Sequence, residues 1–230
     1  EMAAAGLVRA VADFDVIQTV YATTGPGEYA TQIASCVAAG NDLCITVGFS
    51  MSDATLAAAE ANPAVKFAIV DMSWENYPAN LRGMVFAADE VGYLAGTLAG
   101  LMTESRTIGA IGGMPIPAVD AFLIPYEYGA QWVNPAVIVR RDYANDFSDP
   151  DLGALLAQAQ LAQGADVIFG VGGMMGNGAI LAAAEAGAWA IGVDVDTYYS
   201  AFGGGTEPGA ENLLSSALKR VDNAVYNTIK

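Results

Sequence analysis

The chain has 230 residues, of which 54% are hydrophobic; 25 acidic residues stand against 9 basic ones for a net charge of −16, with two cysteines and no histidine. The charge excludes sequence-independent nucleic-acid binding, which depends on Lys and Arg neutralising phosphates, and argues against docking on anionic lipid. Two cysteines without histidine exclude a zinc site and every Ser–His or Cys–His nucleophile, and no apolar run reaches the roughly 18 residues of a membrane span.

Apolar runs then alternate with Ala-rich stretches, the βαβ alternation of a parallel sheet covered by helices. Residues 2–13 are expected to be helical and 15–22 (DVIQTVYA) a strand. A helix over 27–39, a strand over 42–48 and a helix over 51–61, capped by Ser52 or Asp53, follow. VKFAIVD (65–71) reads as a strand ending in an acid, and residues 86–103, after a loop, as a long helix. Cys36 then falls on a helix and Cys44 enters the next strand, and this reading favours two separate buried thiols over a disulfide.

A second series follows. Strands are expected over 107–113, 136–144, 165–172 and 188–196. Helices are expected over 117–132, over 149–163, where Pro150 takes a favoured first-turn position, and over 176–187, which Gly187 ends. A Gly-rich stretch (201–211) leads to a last helix, 212–229. Two such series imply two α/β lobes with parallel sheets, residues 1–103 plus 197–230 and residues 104–196. Because the chain opens and closes on helices, both ends are expected to be incomplete relative to a full fold.

Open parallel sheets bind ligands beyond the carboxyl ends of their strands, and a cleft between the lobes would collect those ends. Asp71 and Asp194 each close an apolar strand there, where a carboxylate could accept hydrogen bonds from vicinal hydroxyls or a purine N–H; the bland alternative is a capping or hinge aspartate. Around Gly172-Gly173, Val167–Gly178 is a strand, a glycine turn and a helix start. Its backbone could meet a hydroxyl or phosphate, or simply turn tightly. A dinucleotide fingerprint fails there, since Met175 stands where the third glycine belongs. Phe147 lies in a polar loop, Asn145–Pro150, where it could stack on a planar ligand or staple the following helix. Lys219, read onto the last helix, is a cation among aliphatics and by default a solvated one. Nothing calls for a cofactor or a metal.

Several segments, in order, resemble the BMP family, substrate-binding lipoproteins of ABC transporters that include the purine nucleoside receptor type. Gly112–Phe122 (GGMPIPAVDAF) is similar to its GG-x-x-x-P-x-V-x-x-F segment. Phe67–Asp71, Glu90–Gly96, Phe147–Pro150, Gly164–Ile168, Ile191–Asp196 and Ser215–Tyr226 match in the same order. The resemblance implies a type I periplasmic-binding-protein fold, two Rossmann-like lobes closing on a nucleoside without transforming it. It further implies that Asp71 and Asp194 bind hydroxyls or base edges with Lys219 assisting at the ribose, that Phe147 stacks on the base, and that the Gly172-Gly173 backbone approaches it. An ABC permease is the implied partner, and the implied location is extracytoplasmic, with a lipid anchor in the full-length protein. Departures exist. The family's opening strand, with its Asp-rich loop and second stacking aromatic, and its lipid-bearing cysteine precede anything in these residues. Thr197 replaces the usual Gln, and 198–211 is longer and more Gly-rich. Two rival functions remain open: an enzyme with a nucleotide cofactor, and a structural protein that self-associates through an incomplete sheet.

Overall fold

The computed structural model describes residues 2–230. They fall into two compact units, one reaching to Phe86 and resuming over Arg220–Lys230, the other Ala87–Lys219. The divisions sit at 86/87 and 219/220, where the sequence reading set them at 103 and 196.

The first unit contains α1 (Met2–Phe14), α2 (Tyr29–Ala38), β1 (Leu43–Val47), α3 (Ser52–Ala61), β2 (Lys66–Val70), β3 (Leu81–Met84) and α9 (Val221–Ile229). The three strands form a parallel sheet in the order β1-β2-β3. Period-two alternation decides its faces. Phe67 and Ile69 join Ile33, Cys44 and Ala59 in the core under α2 and α3. Ala68 and Val70 point the other way, into a core completed by Val221 and Val225 of α9 and Leu7 of α1.

Five local expectations are corrected here. Residues 15–22 form no strand: no strand runs beside them among the described residues, so their backbone finds no ladder, and Ile17 is 96% exposed. β3 lies where the sequence pattern implies a loop: Arg82 and Gly83 hide the pattern of a short strand that pairs with β2 from Phe67↔Leu81 to Val70↔Met84. Neither Ser52 nor Asp53 caps α3; Met51 occupies the N-cap with no side-chain hydrogen bond. Cys36 and Cys44 form a disulfide. The end of α2 returns onto the start of β1, bringing their Cα atoms to 6.2 Å, within bridging range. The fifth is at the C-terminus. Only Val221–Ile229 of the expected helix is helical, while Leu213–Leu218 is a strand.

That strand, β8, belongs to the second unit, with α4 (Ala88–Met102), β4 (Thr107–Gly112), α5 (Pro117–Val133), β5 (Ile138–Tyr143), α6 (Pro150–Ala162), β6 (Val167–Val171), α7 (Gly173–Glu185), β7 (Trp189–Asp194) and the short α8 (Thr197–Ser200). Its five strands run parallel in the order β5-β4-β6-β7-β8. Val167, Phe169 and Val171 of β6 face α4 and α5, together with Ile108, Ala110, Phe122, Leu123 and Tyr126. Ile168 faces α6 and α7, with Ala157, Met175, Ala179 and Ala183. The Asp149 carboxylate caps α6 by accepting from the Asp151 and Leu152 amides at 3.0 and 3.1 Å, with Pro150 next to it as expected.

Helices α4 and α5 lie unusually close. A methyl group built on Gly96 would come within 1.8 Å of the Tyr126 carbonyl oxygen, one on Gly92 within 2.4 Å of that of Phe122, and one on Gly129 within 2.0 Å of that of Tyr93. Only hydrogen at these positions lets the two backbones touch. The pairings 92 with 122, 96 with 126 and 100 with 130 show that the helices run parallel and in step.

Candidate functional site

In both units the strand's closing aspartate bends the chain away. Asp71 follows β2 with φ 67°, and Asp194 ends β7 with φ 66°. Both lie in the left-handed region, uncommon outside glycine and tolerated best by Asn and Asp. Asn145, two residues before Phe147, is there too, with φ 57°. The Asp71 amide donates to the Met84 carbonyl at 2.9 Å, tying the turn to the end of β3. Asp71 belongs to the first unit; the other five candidate residues belong to the second, which places them along the carboxyl ends of its strands.

Lys219 is the first residue beyond β8, not a helical residue as read from the sequence. β8 pairs with β7 in parallel up to Asp194↔Leu218, so its next residue meets the end of β7. The Lys219 amide donates to the Asp194 carbonyl at 2.9 Å, and its Nζ lies 3.4 Å from Asp194 Oδ1. The Lys219 side chain is only 11% exposed, so this cation is not the solvated surface lysine of the default expectation. An ammonium so far removed from water is held by the neighbouring carboxylate. Together they present an acceptor and a donor at one strand end.

Three turns meet beside them. The Gly113 amide donates to the Val171 carbonyl at 2.8 Å, which ties the end of β4 to that of β6. A methyl on Gly172 would strike Met175 Cε at 2.4 Å and the Gly113 nitrogen at 2.9 Å. Gly173, with φ 57°, passes so close to Phe147 that a methyl would lie 2.9 Å from its carbonyl oxygen. That oxygen accepts the Met175 amide at 3.2 Å. The Phe147 ring lies over Gly113, where a Cβ would be 2.3 Å from its Cε1. It is half-buried and packs against the core beneath α4 and α5. The loop is fixed from below: Asp146 Oδ1 accepts from the Ser148 amide and hydroxyl and from the Asp149 amide, at 2.5, 2.8 and 2.9 Å. These bonds, led by that from the Ser148 amide, hold the Asp146 carboxyl below its ordinary range.

The sequence reading passed over one pair at this edge. Tyr143, the last residue of β5, donates its hydroxyl to Asp120 in the first turn of α5, and its ring packs over Gly112. Burial first, then the bond to Asp120, push the phenol up to about 12. Its only sequence signal was a tyrosine at a strand's carboxyl end. Among the described residues no cluster of three or more Cys, Asp or Glu side chains could hold a metal.

Two α/β units with parallel sheets and polar strand ends define a protein of the periplasmic-binding-protein type, and the neighbours in known structures agree. One is an ABC transporter system solute-binding protein from Aeropyrum pernix K1, with 30% identity and TM-score 0.86, covering 99% of this chain and 64% of that one. Another is an ABC transporter system solute-binding protein from Conexibacter woesei DSM 14684, with 25% identity and TM-score 0.66, covering 97% of this chain and 68% of that one. The chain belongs to the Bmp family, described as ABC transporter substrate-binding protein PnrA-like, whose model matches residues 1–230. Basic membrane protein B of Borrelia garinii subsp. bavariensis is 32% identical over 229 residues. The match covers 96% of this chain and 65% of that relative, so the chain spans just under two thirds of the relative's length.

Proposed function

We propose that this protein captures a small polar planar solute, a purine nucleoside, and delivers it to the permease of an ABC importer without transforming it. The observation that carries the proposal is the cluster of the Phe147 ring, the Gly113 and Gly172-Gly173 backbone and the Asp194–Lys219 pair along one sheet edge. In this reading the ring stacks on the base, while the carboxylate accepts from ribose hydroxyls and the ammonium donates to them. Asp71, at the matching strand end of the first unit, is that unit's ligand carboxylate. Membership in a substrate-binding family supports capture over catalysis. The absence of histidine removes the commonest general base.

An extracytoplasmic location belongs to the same proposal, with a lipid anchor in the full-length protein. The Cys36–Cys44 disulfide supports it, since such bonds persist in oxidising compartments. A self-assembling structural role through the open edge of β1 would use the exposed run at 15–22, but nothing in the family favours it.

Calorimetric titration with inosine, adenosine and guanosine, then with free bases and sugars, tests the ligand. Saturable binding of a nucleoside is expected. Binding of a sugar with no response to any nucleoside would overturn the ligand class.

A further inference from the structure

The helical layer of the second unit that leans on its glycines has an outer side, and that side is apolar. On α5, Ile124, Tyr128 and Trp132 recur every four residues, one stripe along the helix. Tyr128 is 63% and Trp132 77% exposed. On α4, Leu94 and Leu101 stand seven residues apart, at 64% and 67%. Because the two helices run parallel and in step, Leu94 lies level with Ile124 and Leu101 level with Trp132. From Leu94 to Leu101, α4 carries no charged residue. From Ile124 to Trp132, α5 carries only Glu127, which pairs with Arg141 at 3.9 Å. In a chain of net charge −16, this is a nearly uncharged window.

Its size decides what it can be. With about 200 Å² for each fully exposed large side chain, the five residues offer roughly 600–700 Å² of largely apolar surface. The largest patch on a monomer is ordinarily about 300–600 Å². A stable interface takes roughly 600–1,000 Å² from each partner.

We propose that this face pairs with the same face of a second copy of the chain, making a homodimer. The stripe grades from Leu94 and Ile124 at one end to Leu101 and Trp132 at the other. A two-fold axis through Tyr128 therefore sets the Trp132 end of each copy on the smaller end of its partner, an isologous contact. The window also suits two acidic molecules, which approach best where neither carries charge. Lipid is the poorer occupant: no Lys or Arg lies on the two helices to meet a headgroup. The inference does not depend on the ligand reading, since no stripe residue belongs to the candidate site.

Sedimentation velocity from about 1 to 100 µM tests it, the range in which a standard-size interface of ordinary quality assembles. The expected result is a dimer that tightens with added salt as like charges are screened. Trp132→Asp and, on the other helix, Leu101→Asn should each weaken it at least tenfold with unchanged circular dichroism, whereas Trp132→Phe should keep it. Since no described cysteine is free, Tyr128→Cys supplies a single thiol at the axis and should form a disulfide-linked dimer on mild oxidation. Glu185→Cys, at the end of α7, should not. A monomer at every concentration overturns the proposal, and so does a dimer untouched by both Trp132→Asp and Leu101→Asn. Binding of the monomer to phosphatidylcholine vesicles through Trp132 overturns it in favour of a membrane.

Discussion

Gly113→Ala is a one-carbon change at a residue that need touch no ligand, and it should still impair binding. The new methyl would sit 2.3, 2.4 and 3.0 Å from Cε1, Cδ1 and Cζ of Phe147. Ordinary carbon contacts lie at about 3.5–4 Å, so the ring must retreat by more than about 1 Å. It can do so, being half-buried on a surface loop, and the fold should lose only about 1–2 kcal/mol, the lower part of the overpacking range. A ring so displaced no longer lies flat on a base. Loss of base stacking on an aromatic ring is worth roughly 1–3 kcal/mol, or about a 5- to 150-fold rise in Kd. Phe147→Ala should give a loss of the same order. In the double variant the methyl has no ring to displace, so the two effects should fall well short of adding. Calorimetry with the tightest-binding nucleoside, beside urea denaturation of each variant, measures both quantities. Wild-type affinity in Gly113→Ala would refute the assignment of the ring, and strictly additive losses would refute the claim that the glycine acts through it.

Asp194→Asn keeps a residue that tolerates the left-handed turn but removes the carboxylate beside Lys219, so nucleoside binding should weaken far more than in the exposed-site control Asp151→Asn; equal effects in a titration would count against a ligand role. Gly96→Ala should cost about 2 kcal/mol net in chemical denaturation, because about 3 kcal/mol of overpacking against the Tyr126 carbonyl outweighs about 1 kcal/mol of helix propensity; an unchanged midpoint would contradict the close helix contact. Ultraviolet titration should show one phenolate forming near pH 12, absent from Tyr143→Phe, and since the folded value lies above the ordinary 10.0, the stability this group lends is full below pH 10 and lost as pH rises from about 10 to 12. Asp222 is held low, first by its hydrogen bond from Arg220, so its stabilising effect is present above the ordinary carboxylate value of 3.8 and lost as pH falls through the lowered one. Asp222→Asn should therefore destabilise at about pH 7, with its deficit against wild type shrinking as urea melts are run at progressively more acidic pH.

Strands buried on both faces were legible from sequence because they are continuous apolar runs, as in Phe67–Val70 and Val167–Val171. The strand ends that carry the candidate residues were legible too: Asp71, Asp194 and the Gly172-Gly173 turn stand at the carboxyl ends where the alternation put them. What failed depended on partners. Residues 15–22 have the composition of a strand but no strand to pair with among the described residues. Leu213–Leu218 lacks β-branched residues and runs into a real helix, so only its pairing with β7 makes it a strand. Lys219 was misplaced with it. The disulfide depends on how α2 returns to β1, which spacing in sequence does not convey. Tyr143 and Asp120 lie 23 residues apart, and only the turns at the ends of β4 and β5 bring them together.

The glycine seam between α4 and α5 also bears on how the second unit breathes. Interdigitated side chains can come apart singly, but helices joined backbone to backbone have no slack between them. If one lifts, water reaches the facing turns of its neighbour at once, along the whole run from Gly92 to Gly100. The amides of α4 and α5 should therefore exchange with solvent deuterium as one cooperative block at a common opening free energy, distinct from that of α6 and α7 on the opposite face of the sheet. A helix pair rich in glycine would then be among the unit's least locally mobile regions.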